Sequence, residues 1–229
     1  LFSPIAPPME DLSTKYDFRV ATIDDYDDVF KSALHGFILN EPHAKSLDVT
    51  PTQASPLIDW IVKKCLAEPY SMIVIEKNTG KVAGFRLYSV GHRDYSKDFS
   101  PFDLNVENLS DNVQMLCNLL DLKKQIWNIE PEILEILRQE ISFVEPSHQR
   151  KGIATHLLHL GLDFDKLKEE GFHGIQAEAT SFSNQKLLIK NGYEVVARTK
   201  PEEYVRPNGS IVNFHDETTD MQLCYLSLN

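Results

Sequence analysis

The chain has 229 residues, 42% of them hydrophobic, which is enough for one domain with a sizeable core. Its formal charge of −11 excludes a general nucleic-acid binder, which needs basic surface to follow phosphates, and fits a protein that takes cationic or neutral ligands. No apolar run reaches the ~18 residues of a membrane-spanning helix, so no membrane association is expected.

Residues 1–15 are Pro-rich and lack a basic-plus-apolar signal pattern, and they read as a flexible leader before a single domain over 16–229. Residues 17–23 alternate and predict a first strand. Residues 24–40 predict a helix, with acidic residues in the first turn and Val29, Phe30, Ala33, Leu34, Phe37 and Ile38 at helical spacing. Pro42 ends it, because the residue before proline avoids the α region. A second amphipathic helix is expected over 51–67, then a hairpin of strands 72–76 and 82–90 around Asn78-Thr79-Gly80. Residues 91–139 read as a helical insertion: a polar loop to Asp103, then helices over 111–127 and 131–139. After it come a strand at 141–145, a helix over 150–170 stopped by Gly171, a strand at 173–180, a helix at 183–190, a strand at 193–199, and a last strand at 219–228. Cys65, Cys117 and Cys224 form no CxxC pattern and read as free core thiols in a reducing compartment, which makes a cytoplasmic location the simplest expectation.

The informative stretch is ISFVEPSHQRKGIATHLL, residues 141–158. A strand runs into a glycine turn and then into a helix. The first amides of a helix have no intrahelical acceptor, and the macrodipole adds roughly half a positive charge there, so the turn suits an anion such as a pyrophosphate. Gly152 removes a Cβ from the approach, and Arg150 and Lys151 add positive charge.

Gln149-x-x-Gly152-x-Ala154 after a strand resembles the acetyl-CoA pyrophosphate loop of the GNAT superfamily of N-acyltransferases. Val144-x-Pro146 ahead of it and the 179–193 segment closing on Asn191-Gly192-Tyr193 strengthen the likeness. The resemblance implies an α/β GNAT fold: a central mixed, mostly antiparallel twisted sheet of about seven strands, flanked by helices and splayed between strands 4 and 5 where CoA enters. It implies acetyl-CoA as cosubstrate, with Ser142, Phe143 and Val144 along the pantetheine arm, Gln149, Arg150, Lys151, Gly152, Ile153 and Ala154 at the pyrophosphate, and Thr180, Asn184 and Lys186 contributing from the next segment. No metal is expected. The insertion is expected to lie over the substrate mouth.

The stretch around Asn40-Glu41-Pro42 resembles the insect arylalkylamine and dopamine N-acetyltransferase branch, where the glutamate before proline is held to be the base. This implies direct acetyl transfer to a small primary amine in a ternary complex, with Glu41 removing the ammonium proton and His43 as a rival. A solvated loop carboxylate is the bland alternative for Glu41. Many members of the superfamily carry a tyrosine acid at the position held here by Leu188, which has no proton to give. Ser181 and Ser183 are the hydroxyls expected to reach the thioester, with helix capping an equally good reading. Phe37, Tyr88, Phe102 and Trp127 are candidates for an aromatic pocket or, equally, for packing. Acetyl-CoA and a small amine are thus the expected partners of a monomer or weak dimer. A CoA-binding protein without turnover and a protein or polyamine acetyltransferase are the alternatives.

Overall fold

The computed structural model describes residues 9–206 and 208–228. Seven strands, β1 (Tyr16–Val20), β2 (Met72–Glu76), β3 (Val82–His92), β4 (Glu135–Val144), β5 (Gly174–Ala179), β6 (Glu194–Arg198) and β7 (Gln222–Ser227), form one sheet in the order β1-β2-β3-β4-β5-β7-β6. Every neighbouring pair is antiparallel except β4 and β5, which run parallel. This is the mixed, mostly antiparallel sheet expected from the sequence.

Alternation along β4 sends Ile136 and Phe143 to one face and Leu137 and Val144 to the other. The first face is covered by helices Tyr26–Ser32, Pro51–Leu66 and Asp111–Leu119, whose Val29, Ile58, Val62 and Leu116 pack on Phe85, Leu87 and Phe143. The second is covered by Ile153–Leu157 and Phe182–Lys190 and holds Leu157, Leu158 and Leu188 against Val74, Ala83 and Ile175. Pro51–Leu66 starts cleanly because Thr50 and Gln53 form a reciprocal cap and Pro51 occupies the first turn.

Several expected boundaries move. Residues 135–139 are strand, not helix: β4 is buried on both faces, so its apolar residues run nearly unbroken and their spacing mimics a helix. The helix expected over 150–170 is two pieces, Ile153–Leu157 and Phe164–Glu169, separated at Gly161, whose φ is +78°, and restarted by the Asp163 cap. The helix expected over 24–40 opens as a 3₁₀ turn, runs as α over Tyr26–Ser32 and widens to a π turn at Ala33–Phe37. Within that turn a Cβ on Gly36 would stand 2.6 Å from the Phe143 ring, so glycine lets this helix close onto β4. Residues 1–8 of the expected leader lie outside the described residues, and Met9–Lys15 is helical with Leu12 buried. Among the described residues no helix is long and apolar enough to cross a membrane.

β3 and β4 share a bulge. Leu87 faces Ile141 but Tyr88 faces Gln139, leaving Glu140 as the extra residue. Pairing of β4 with β5 is confined to Leu137–Gln139 against Ile175–Ala177, so the two strands part where the bulge bends β4. Glu145 N donates to Ala83 O, which by antiparallel alternation turns the backbone groups of Ser142 and Val144 to the opened edge.

The insertion is tied down by ions. Arg138 Nη1 on β4 donates to Asp98 Oδ2 at 2.7 Å, and Asp98 Oδ1 accepts from His92 N at 2.7 Å and lies 2.9 Å from His92 Nδ1. Burial opposes ionisation of Asp98, but the Arg138 guanidinium and the His92 bonds outweigh it and hold the carboxyl below its ordinary range. Its stabilising effect is therefore present above the unfolded value of about 3.9 and lost as pH falls through the folded one. Asp98→Asn is expected to cost about 2 kcal/mol at neutral pH, with the difference from wild type closing below about pH 4, as read from urea unfolding midpoints.

Candidate active site

The parted strands open into a cleft of about 590 Å³, within the range of small-ligand sites. Its walls on one side are the 148–155 loop and helix start, together with Thr180, Ser181, Ser183, Asn184 and Leu187. On the other side they are Phe37, Glu41, Leu57, Ile58, Ile61 and, from the insertion, Leu116 and Leu120. Ile141, Ser142, Phe143 and Val144 of the opened β4 edge run between the two. Leu116 and Leu120 thus bring the insertion to the cleft wall.

Gln149, Arg150, Gly152, Ile153 and Ala154 all line the cleft, and Gly152 caps the helix with φ +89° and ψ −2°, which suits glycine. Arg150 also has positive φ, +60°, so the loop coils tightly ahead of the helix. Gln149 Nε2 donates to Val144 O at 3.0 Å, meeting one carbonyl that β5 no longer reaches. Lys151 does not line the cleft: its ammonium donates to Ser147 O at 2.9 Å. Lys186 also stands away, 4.1 Å from the centroid of the Phe182 ring.

Glu41 is only 6% exposed and caps the Pro42–Ser46 helix, its Oε2 accepting from Ala44 N at 2.5 Å. The solvated-carboxylate alternative does not hold. Its Oε1 makes no hydrogen bond among the described residues and lies 3.4 Å from His43 Nδ1. His43 is fully buried outside the cleft wall, with Nε2 3.0 Å from Tyr204 Oη, whose oxygen in turn accepts from Met221 N. The rival base thus stands behind Glu41.

Ser181 is the N-cap of Phe182–Lys190, its Oγ accepting from Asn184 N at 3.3 Å, and Ser183 Oγ is 3.5 Å away. Both hydroxyls line the cleft, so capping and access to a ligand coexist. Leu188 is buried in the core. Of the four aromatic candidates only Phe37 lines the cleft: Tyr88 is in the opposite core, Trp127 stacks near Arg93 and Arg138, and Phe102 is exposed beside Lys63. Cys65 and Cys224 are buried and Cys117 half-buried. Burial pushes the Cys117 thiol up to about 11 and the Cys224 thiol to about 12, leaving no ready thiolate.

Three cleft carboxylates were missed in the sequence, Glu140 on the bulge, Glu178 on β5 and Asp216 ahead of β7; the first two are buried together. Lys123 of the insertion lies 3.8 Å from both, its backbone N donates to Glu178 Oε1 at 2.7 Å, and Ser89 Oγ donates to Glu140 Oε1 at 2.6 Å. The only sequence signal was a charge at a core-facing strand position. One lysine cannot neutralise both. Burial works against Glu140, but Lys123, Lys64 and Arg138 hold it well below the usual carboxylate range. Burial pushes Glu178 above that range, and the charge of Glu140 adds to the push against Lys123.

The fold matches solved structures over nearly its whole length. Arylalkylamine N-acetyltransferase 2 of Aedes aegypti superposes with a TM-score of 0.76 at 20% identity, over 93% of this chain and 99% of that one. The arylalkylamine N-acetyltransferase 7 of the same mosquito gives 0.72 at 15%, over 96% and 92%. The polyamine N-acetyltransferase of Drosophila melanogaster, which forms N-acetylagmatine, gives 0.69 at 10%, over 93% and 99%. The fold is the GNAT fold. No protein-family model and no curated protein matches the sequence.

A raised folded value means that folded Glu178 keeps a proton the unfolded chain has released. Its contribution is therefore complete below the unfolded value of about 4.3 and is lost as pH rises through the folded one. Glu178→Gln should accordingly gain stability over wild type on going from about pH 5 to about pH 8.5, by roughly 1.4 kcal/mol per pKa unit of displacement. Parallel pH dependence of the two unfolding midpoints would contradict this.

Proposed function

We propose that this chain is an acetyl-CoA-dependent N-acetyltransferase acting on a small primary amine, with the domain spanning 16–229. The observation that carries this reading is the single cleft joining a strand–Gly152–helix anion loop, an opened β4 edge and the buried, half-used carboxylate of Glu41.

In this reading the pyrophosphate sits at the Gln149–Ala154 loop, where unpaired amides and the Arg150 charge meet it, with Lys151 adding charge from outside the wall. The pantetheine arm pairs with the backbone of Ser142 and the amide of Val144, whose carbonyl Gln149 already meets, beside Phe143, while Thr180 and Asn184 border it from the other wall. Lys186, away from the wall, contributes at most to the field at the entrance. The apolar walls from Phe37, Leu57, Ile61 and Leu120 hold the body of the amine and exclude water. An alkylammonium with a pKa near ~10.4 must lose its proton first, and Glu41 Oε1 is the open acceptor. The amine then attacks the thioester directly. Ser181 and Ser183 border the same space as donors. A covalent relay through cysteine finds no support in thiols held above their ordinary range by burial. Buried free thiols also fit a reducing compartment such as the cytoplasm.

An arylalkylamine acceptor is favoured by Phe37 and the apolar wall, and two of the solved neighbours are arylalkylamine enzymes by name. A polyamine acceptor is the second reading, favoured by Glu140 and Glu178 on the floor of the cleft. CoA binding without turnover draws on the capping duty of Glu41, one of whose oxygens is already engaged.

Thiol release from acetyl-CoA across tryptamine, dopamine, polyamines and a lysine peptide tests the reading. Glu41→Ala is expected to lower kcat about 100-fold or more on the accepted amine, the scale of losing a general base. Gly152→Glu is expected to abolish CoA binding, through the strained φ and the added negative charge, while the chain stays folded. CoA binding without turnover on any amine would favour the silent reading.

A further inference from the structure

Arg86 on β3 is fully buried, yet among the described residues no carboxylate lies within 4.0 Å of its guanidinium. Nη2 donates to Ser142 Oγ at 3.3 Å, while Nε and Nη1 have no hydrogen-bond partner. Five N–H donors on a buried cation with so few acceptors make a poor stabilising device, since an unpaired buried charge costs several kcal/mol. The groups around it offer no negative charge. Tyr88 donates its hydroxyl proton to Leu158 O at 3.0 Å and turns its oxygen toward Arg86, but burial outweighs the pull of that cation and holds this phenol, like that of Tyr193, above its ordinary range, so both stay neutral. His159, stacked on Tyr193 with ring centroids 5.9 Å apart, is pushed down by burial and by Arg86 itself and is neutral too. The hydroxyl of Tyr193 and Nε2 of His159 are likewise unpartnered, so this whole polar nest faces one uncompensated positive charge.

Its way out is Ser142. Arg86 and Ser142 are direct partners across β3 and β4, and their side chains share the face that also carries Leu188. Ser142 lines the cleft and is half-exposed on a strand otherwise mostly buried. Because its oxygen already accepts from Arg86, its own proton is available to an acceptor in the cleft.

We propose that Arg86, acting through Ser142, stabilises the CoA thiolate as it leaves; this rests on the acetyl-CoA reading above. Glu41 passes the ammonium proton on to solvent before the attack. The amine nitrogen then forms its bond to the carbonyl carbon, the carbon–sulfur bond breaks with its electron pair remaining on sulfur, and the second nitrogen proton goes to the freed Glu41 carboxylate. Ser142 donates a hydrogen bond to the sulfur anion, the field of Arg86 polarises that bond, and solvent protonates the thiolate after release. No proton donor at position 188 is then required. Arg86 is a positioning and electrostatic residue here, and Ser142 the group that touches the sulfur.

The readout is the pKa of the bound CoA thiol, followed by ultraviolet absorbance of the thiolate as pH is varied in the enzyme–CoA complex. It is expected to lie about one unit or more below that of free CoA, the usual effect of a nearby opposite charge. Arg86→Met and Ser142→Ala should each return it toward the free value and lower kcat roughly tenfold. Arg86→Lys should retain part of the shift. Arg86→Met should unfold no more easily than wild type, which a purely structural role would not allow. A bound thiol that titrates as in free CoA, or a shift that survives Arg86→Met, would overturn the inference while leaving the acetyltransferase reading intact. Failure of the wild-type chain to bind CoA would remove both.

Discussion

The separation of β4 from β5 is the constraint on which the rest of this molecule depends. A parallel pair that stays in register would consume every backbone donor and acceptor between the strands. Here pairing stops after Gln139, at a bulge that inserts Glu140 and bends the strand. Backbone groups beyond it then need partners from elsewhere. Gln149 supplies one by reaching back to Val144 O, and the remainder face a cleft. The seven strands, the glycine-capped helix and the insertion all take their meaning from this opening.

Charge is distributed unevenly across it. On the side of the 148–155 loop stand Arg150, the helix start and, behind Ser142, the unpaired Arg86. On the side of the insertion stand the carboxylates of Glu41 and Glu140, the latter beside Lys123, and the carboxyl of Glu178, which burial keeps protonated. A ligand that is anionic at one end and meets an ammonium at the other finds complementary walls here. The overall charge of −11 does not reveal this polarity, because net charge carries no position.

The second carboxyl oxygen of Glu41 shows how one residue serves fold and site together. Oε2 is spent on Ala44 N, which fixes the side chain against Pro42–Ser46, and this leaves Oε1 held in place but free of hydrogen bonds. Ser181 is similar, capping a helix with its oxygen while its proton remains available. In both cases the cap leaves the side chain able to face the cleft, because capping uses only one lone pair; the sequence offered a cap for Ser181 but not for Glu41.

What the sequence alone determined was local and periodic: the strand–Gly152–helix loop, the amphipathic helix starting at Pro51, the hairpin at Gly80, the order of strands, and the placement of Glu41 before Pro42. Each rests on residues within a few positions of one another, where propensity and turn chemistry act directly. Elements buried on both faces were less legible, and β4 read partly as helix because its two apolar faces erase the alternation. Only the tertiary structure decided that Glu140, Glu178 and Lys123, or Arg86 and Ser142, would meet. Those partners are 17 to 56 residues apart, and what brings them together is strand register and a bulge, neither of which any single stretch of sequence encodes.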